Sequence, residues 1–346
     1  MYWQEAFDEH LPMNVLFITS NRLGDAVLST GLLDHLIRQD AGLRVTVACG
    51  AVPASLFREM PGIERIIVLE KRPLAGHWLS LWAQTVGTAW HLIVDLRASA
   101  IAWLLKAKSR HVLDTGASRD STHRVVQLAA VLGLDAALGL DGVPPPRIWL
   151  GDVQRNEASR LMPAGRPILA VGPTANWGGK QWRPELFADV IALLTAADAS
   201  LDGADVAVFG APDERAMAQP VLDSIPPERR VDLVGNDDLL VTAACLEHAD
   251  LYIGNDSGLM HLAAAMGVPT LGLFGPSREV HYAPWGDHCA FVRTAKSYEE
   301  IVGDPAYDYR RHDTWMDTLS VDAVEDAAVV LWQRTRDAAA SAGMMR

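Results

Sequence analysis

Short apolar runs alternate along this chain with longer segments that carry apolar residues at helical spacing. Residues 14–20 (Asn-Val-Leu-Phe-Ile-Thr-Ser) predict a buried first strand, and 25–39 places Ala26, Val27, Leu32, Leu33, Leu36 and Ile37 near helical spacing. Further strands are expected at 43–48, 65–69 and 92–95, with helical or loop segments at 53–60 and 77–88 and a helix at 122–132. The alternation resumes after residue 151. Strands at 167–171, 205–209, 231–234, 251–253 and 270–274 are separated by helical stretches at 184–196, 213–222, 239–247 and 259–266. Residues 287–316 read as irregular, and 321–339 as a closing helix with Asp322 and Glu325 in its first turn. Strands joined by helices build parallel sheets covered on both faces, so the chain is α/β with two doubly wound halves. Gly-Leu-Asp-Gly-Val-Pro-Pro-Pro at 139–146 has linker composition. The expected domains are therefore residues 1–150 and 151–320, with the helix of 321–346 free to pack back on the N-terminal domain.

Composition narrows the partners. The 346 residues carry a formal net charge of −13, which argues against a nucleic-acid-binding face. Three scattered cysteines, Cys49, Cys245 and Cys289, form neither a disulfide framework nor a metal spacing and read as core residues of a protein in a reducing compartment. Residues 1–12 lack the basic and apolar regions of a signal peptide, and no run approaches the roughly 18 apolar residues of a membrane span. Trp78 and Trp82, four residues apart, are expected to pack into a core rather than to form a sugar platform.

Chemistry concentrates at the strand-to-helix corners. In open α/β sheets, ligands bind outside the carboxyl ends of the strands, where helix N-termini offer free N–H groups. Residues 253–277 form one tight βαβ unit whose corner, Asn255-Asp256-Ser257-Gly258, is the leading site candidate; an ordinary Asp/Ser helix cap is the alternative. His261 lies within the first turns of the helix that follows. The first corner of the second half, from Gly172 through Lys180 to Pro184, is a Gly-rich loop able to cradle a phosphate, although Lys180 is not followed by the Ser or Thr of a Walker loop. The next corner, Gly210-Ala211-Pro212-Asp213-Glu214, places a carboxylate where vicinal ribose hydroxyls could donate to it. In the first half the turn after the first strand leads to Gly24-Asp25, where Asp25 opens the helix and is either an acid stabilised by the helix dipole or a general base. Neither half carries Gly-x-Gly-x-x-Gly, which disfavours a nicotinamide dehydrogenase. Arg97, Lys106, Lys108, Arg110 and Arg124 could form a basic rim or merely a solvated face. No His, Asp or Cys spacing suggests a metal site.

Taken in order, Leu23-Gly24-Asp25 with Val27-Leu28-Ser29-Thr30, Lys180-Gln181-Trp182-Arg183-Pro184, Gly210–Glu214, and Gly254-Asn255-Asp256-Ser257-Gly258-Leu259 through His261-Leu262-Ala263 resemble the ADP-heptose:lipopolysaccharide heptosyltransferase family. The resemblance extends through Phe274-Gly275-Pro276-Ser277 to Trp315-Met316 and Val321. It implies a GT-B fold, two Rossmann-like domains facing across a cleft, and inverting sugar transfer without a metal or other cofactor. Asp25 would then deprotonate the acceptor, and Lys180, with Thr174 or Asn176, would balance the leaving diphosphate. Glu214 would hold the ribose, and Asp256, Ser257, Gly258, Leu259 and His261 would line the donor sugar and diphosphate. The acceptor, a lipopolysaccharide-core or other lipid-linked glycan, would meet Arg22, Gly24 and Arg97. Such a protein is expected in the cytoplasm, reaching the inner face of the membrane through its acceptor. Departures from the family pattern include Pro173 in the phosphate loop and Gly31 in the first helix. A transferase or epimerase using a UDP-sugar, and an inactive nucleotide-sugar-binding protein of the same fold, are the competing expectations.

Overall fold

The computed structural model describes residues 13–114, 116, 121–134, 142–310 and 313–344, with side chains of the last helix described to residue 341. The chain forms two compact units. The first comprises Met1–Ser118 with Gln127–Pro144, and the second Arg119–Val126 with Pro145–Arg346.

In the first unit the order is β1 (Asn14–Ile18), α1 (Leu23–Gln39), β2 (Arg44–Cys49), β3 (Ile63–Val68), α2 (Gly76–Thr85), β4 (Trp90–Asp95), α3 (Ile101–Leu104) and β5 (Ala107–Val112). The strands pair in parallel in the order β3-β2-β1-β4-β5. Val15, Leu16, Phe17 and Ile18 are all fully buried, as the both-faces-covered position of β1 requires. Leu16, Ile18, Leu81, Trp90 and Ile93 form one core layer, against which Trp78 and Trp82 pack as expected. The segment 53–60 is a short 3-10 turn, Val52–Phe57, rather than a full helix.

The helix α4 (Arg124–Ala130) crosses the division between the units. The second unit continues with α5 (Asp152–Leu161), β6 (Ile168–Gly172), α6 (Pro184–Thr195), β7 (Asp205–Gly210), α7 (Arg215–Ser224), β8 (Arg230–Val234) and α8 (Leu239–Leu246). It ends with β9 (Leu251–Asn255), α9 (Gly258–Ala265), β10 (Thr270–Phe274), α10 (Glu279–Tyr282), β11 (Cys289–Arg293), α11 (Tyr298–Val302) and α12 (Val321–Met344). Its parallel sheet runs β11-β10-β9-β6-β7-β8.

Several elements differ from expectation. β5, α5 and β11 were not predicted, and β11 falls in the stretch read as irregular. β5 and β11 are edge strands, each bonded to one neighbour, so neither needs the doubly buried apolar run that marks a central strand. In the closing helix, Val324, Ala328, Leu331 and Trp332 belong to the core of the second unit, and α12 packs on α6, β10 and β11. The Cys49, Cys245 and Cys289 thiols are pushed up to about 12, chiefly by burial, which keeps them protonated.

Candidate functional site

The sheet of the second unit changes direction between β6 and β9, because β7 and β8 continue on one side and β10 and β11 on the other. Loops leaving two such strands diverge and open a crevice at their carboxyl ends. The Gly-rich loop leaves β6, and Asp256 and Ser257 leave β9. Lys180, on a 3-10 turn at Gly178–Lys180, donates to Asp256 Oδ2 at 2.5 Å. The Asp256 side chain is only 5% exposed and that of Lys180 is 24% exposed, so the pair is largely withdrawn from water. The fully buried Asn255 binds both ends of the loop. Its Oδ1 accepts the Trp182 N–H at 3.0 Å, and its Nδ2 donates to the Pro173 carbonyl at 2.8 Å.

No side chain caps α9. Each residue that could have done so is directed elsewhere: Asn255 to the loop, Asp256 to Lys180, and Ser257 Oγ toward the Tyr252 hydroxyl. The first-turn N–H groups of α9 and its partial positive charge are therefore left for a ligand. Ser257 Oγ, His261 Nδ1 and Ser277 Oγ are buried, with no well-formed hydrogen bond to any described group. Leaving such groups unmade costs about 1–3 kcal/mol each unless something fills the site. Burial lowers the His261 pKa to about 4, with smaller opposing help from Asp256, so the imidazole is neutral near pH 7.

Glycine makes the crevice floor possible. The Tyr252 ring lies across Gly172 and Gly254, where a Cβ would approach its hydroxyl to 1.9 and 2.5 Å. At the next corner, Glu214 Oε2 accepts from Thr174 Oγ1 at 2.6 Å and from the Ala211 N–H at 2.9 Å. Thr174, assigned by the resemblance to the diphosphate, thus commits its proton to Glu214, and Asn176 is exposed on the loop.

The first unit has its own switch point, between β1 and β4. Asp25 is half-buried in the first turn of α1, whose N-cap, Arg22, likewise makes no side-chain cap. Ser20 Oγ lies 3.4 Å from Asp25 Oδ2 and accepts the Arg22 N–H at 3.1 Å. Arg97, after β4, donates to Asn21 Oδ1 at 2.8 Å and stacks over Trp78 at 5.0 Å. Asp95, absent from the sequence-based candidates, shapes that corner. Its buried carboxylate accepts the Arg97 N–H, the Ser99 N–H and the Ser99 hydroxyl at 2.9, 2.8 and 2.6 Å. Burial raises its pKa against those bonds. Not every residue of the expected basic rim keeps its charge for a ligand. Arg110 spends its guanidinium on the carbonyls of Ala102, Leu105 and Ala107, and Arg124 belongs to the second unit.

Residues 92–302 match the sequence profile of glycosyltransferase family 9 (heptosyltransferase), well over half the chain. The chain belongs to glycosyltransferase family 9. The matched span holds every donor-side candidate, from Thr174 to His261, together with Arg97, whereas Arg22, Gly24 and Asp25 precede it. This family 9 chain is 25% identical over 319 residues to lipooligosaccharide heptosyltransferase 2 of Haemophilus influenzae, covering 81% of the chain and 88% of that relative. Its fold matches the crystal structure of a family 9 glycosyltransferase from Veillonella parvula, with a TM-score of 0.75 at 20% identity over 94% of this chain and 99% of the other. It likewise matches the E. coli ADP-heptose lipopolysaccharide heptosyltransferase II, with a TM-score of 0.74 at 17% identity over 94% and 100% of the two chains. The two doubly wound units are thus those of a GT-B glycosyltransferase.

Proposed function

We propose that this glycosyltransferase transfers heptose from ADP-heptose to a sugar of a lipopolysaccharide core, with inversion at the anomeric carbon and without a metal. The observation that carries the reading is the β6/β9 corner of the second unit, where Lys180, the uncapped α9 N-terminus and buried polar groups lacking partners converge on one crevice. A sugar diphosphate suits each: negative charge for the helix and, in exchange for Asp256, for Lys180, and hydroxyls for Ser257 and for the released Asp256, which accepts from them. Glu214 takes the ribose hydroxyls, with Thr174 and the Ala211 N–H holding its carboxylate in place. Gly258 and Leu259 contribute first-turn N–H groups, and the neutral His261 lies behind them.

In the forward step the acceptor hydroxyl loses its proton to Asp25 as its oxygen attacks the anomeric carbon. The bond to the β-phosphate oxygen breaks on the opposite face, which inverts the anomeric centre. Negative charge then grows on the departing ADP, where Lys180 and the α9 dipole oppose it without Lewis-acid assistance. On the acceptor side, Arg22 and Arg97 would provide cationic contacts for an anionic core glycan, and Gly24 would let it approach the backbone beside Asp25. Among the described residues no helix is long and apolar enough to cross a membrane. On this reading the enzyme works from the cytoplasm and meets its lipid-linked acceptor at the membrane face.

A thermal-shift panel of ADP, UDP, GDP and CMP tests the donor assignment. ADP at about 100 times its dissociation constant adds about 2.7 kcal/mol and raises Tm by a few degrees. Preferential stabilisation by UDP would overturn ADP-heptose in favour of a UDP-sugar enzyme. Transfer in excess EDTA is expected to run at the rate seen without chelator, and activity restored only by a divalent cation would refute the metal-free step.

A further inference from the structure

We infer that Asn255 is a positioning residue, whose side-chain amide clamps both ends of the 173–182 loop and so sets Lys180 against Asp256 at the donor diphosphate. This rests on the donor reading above and extends it to a residue that touches no substrate.

The hydrogen-bond chemistry admits one arrangement. The Trp182 N–H can only donate and the Pro173 carbonyl can only accept, so the residue between them needs one acceptor and one donor on a planar group. A side-chain amide has both. Asn255 is 0% exposed, so neither atom can take water instead. Pro173 opens the loop and Trp182 closes it. The downstream end is held further by Trp182 itself, which is 1% exposed, donates Nε1–H to the Leu319 carbonyl at 3.0 Å and packs edge-on against Phe187 at 5.0 Å.

Between these anchors the loop is internally braced. Lys180 N–H donates to the Trp177 carbonyl at 3.0 Å, and Gln181 Nε2 donates to the Ala175 carbonyl at 2.6 Å. Its freedom therefore lies chiefly in its ends, which Asn255 fixes. Asn255 is also the residue before Asp256, at the end of β9. One side chain thus ties the strand that delivers the carboxylate to the loop that delivers the ammonium.

Asn255→Asp is the discriminating variant. An ionised aspartate still accepts from Trp182 but faces the Pro173 carbonyl with a second acceptor, whereas the neutral acid can donate there as the amide did. Burial keeps such an acid neutral to a higher pH than usual. The charged or titratable groups nearby, Lys180, Asp256 and His261, are common to both proteins, so each measurement is taken as a ratio to wild type at the same pH.

Two readouts on the full chain apply: amide hydrogen exchange of the 173–182 loop without nucleotide, and ADP affinity by calorimetry. At pH 8, Asn255→Asp is expected to exchange the loop amides faster and to bind ADP about tenfold more weakly than wild type. At pH 5.5 both ratios should return toward one. Asn255→Ala should also weaken ADP binding, and Lys180→Ala/Asn255→Ala should bind no more weakly than Lys180→Ala alone, because Asn255 acts through Lys180. Wild-type exchange rates in Asn255→Asp at pH 8, a deficit that ignores pH, additive effects in the double variant, or global loss of helical circular dichroism at either pH would each overturn the inference. If wild type binds no ADP, the donor reading fails, while loop exchange still decides the clamp.

Discussion

Asp25→Asn lowers heptose transfer by about a thousandfold while leaving ADP affinity within about twofold of wild type. The two effects separate because the residues assigned to the donor all lie in the second unit, whereas Asp25 lies in the first, in the opening turn of α1. Asparagine keeps the shape of the side chain but cannot take a proton, so the variant removes the step rather than the structure. The fold should tolerate the change. Losing one acid from a helix N-terminus costs about 0.3–1 kcal/mol, and the neighbouring bonds of Ser20, Arg22 and Arg97 do not depend on its charge. Transfer from ADP-heptose to a heptose-accepting core oligosaccharide, measured beside an ADP titration, checks both halves. Retention of more than about a tenth of the wild-type rate would remove Asp25 from the role of base.

The second large effect is expected at Lys180. Lys180→Ala should weaken ADP binding by about 10- to 100-fold, the range for one lost hydrogen bond to a charged group. It should also destabilise the protein, because Asp256 would remain 5% exposed without its cation. The pair is partly open on the lysine side, so about 1–3 kcal/mol is a fair magnitude, seen as a fall of several degrees in Tm. Adding Asp256→Asn separates the two consequences. Lys180→Ala/Asp256→Asn should recover most of the lost stability, since no unpaired charge is left buried, but not the ADP affinity. Recovery of both would show that Lys180 serves Asp256 alone and never meets the diphosphate.

The ion pair also bears on how the donor enters. Lys180 and Asp256 satisfy each other; on the donor assignment proposed above, binding would trade that contact for phosphate oxygens on the ammonium and sugar hydroxyls on the carboxylate. Buried charges are tolerable only while paired, and the ion pair ties the loop to the end of β9.

Much of this was legible from residue order. The central strands are covered on both faces, and their continuous apolar runs, such as Val15–Ile18 and the run ending at Asn255, mark them without ambiguity. The Gly-rich and acidic corners were visible because ligand-binding backbone needs glycine and helix-starting residues at fixed places after a strand. β5 and β11 escaped notice because edge strands are bonded on one side only and carry mixed polar sequence, Ala-Lys-Ser-Arg-His-Val and Cys-Ala-Phe-Val-Arg. α5 escaped because its polar composition leaves Gln154 and Ala158 as its buried residues, too few for an apolar stripe.

The corner at Asn255–Ser257 shows where the order of residues stops being informative. Asn, Asp and Ser before a helix predict a cap, and locally that is their best use. In the folded chain none of them caps α9: Asn255 and Asp256 find partners 73 to 82 residues away in sequence, Trp182 and Pro173 for Asn255 and Lys180 for Asp256, and Ser257 Oγ is turned toward the Tyr252 hydroxyl without a well-formed bond. Two doubly wound units, and strand ends that carry acids, a lysine and glycines, can be read from residue order alone, since these follow from hydrophobic period and local backbone demand. Which of those groups meet, and that no side chain caps α9, follow from the folded arrangement. Long-range hydrogen bonds and a buried ion pair outweigh a local cap, and no local pattern records them.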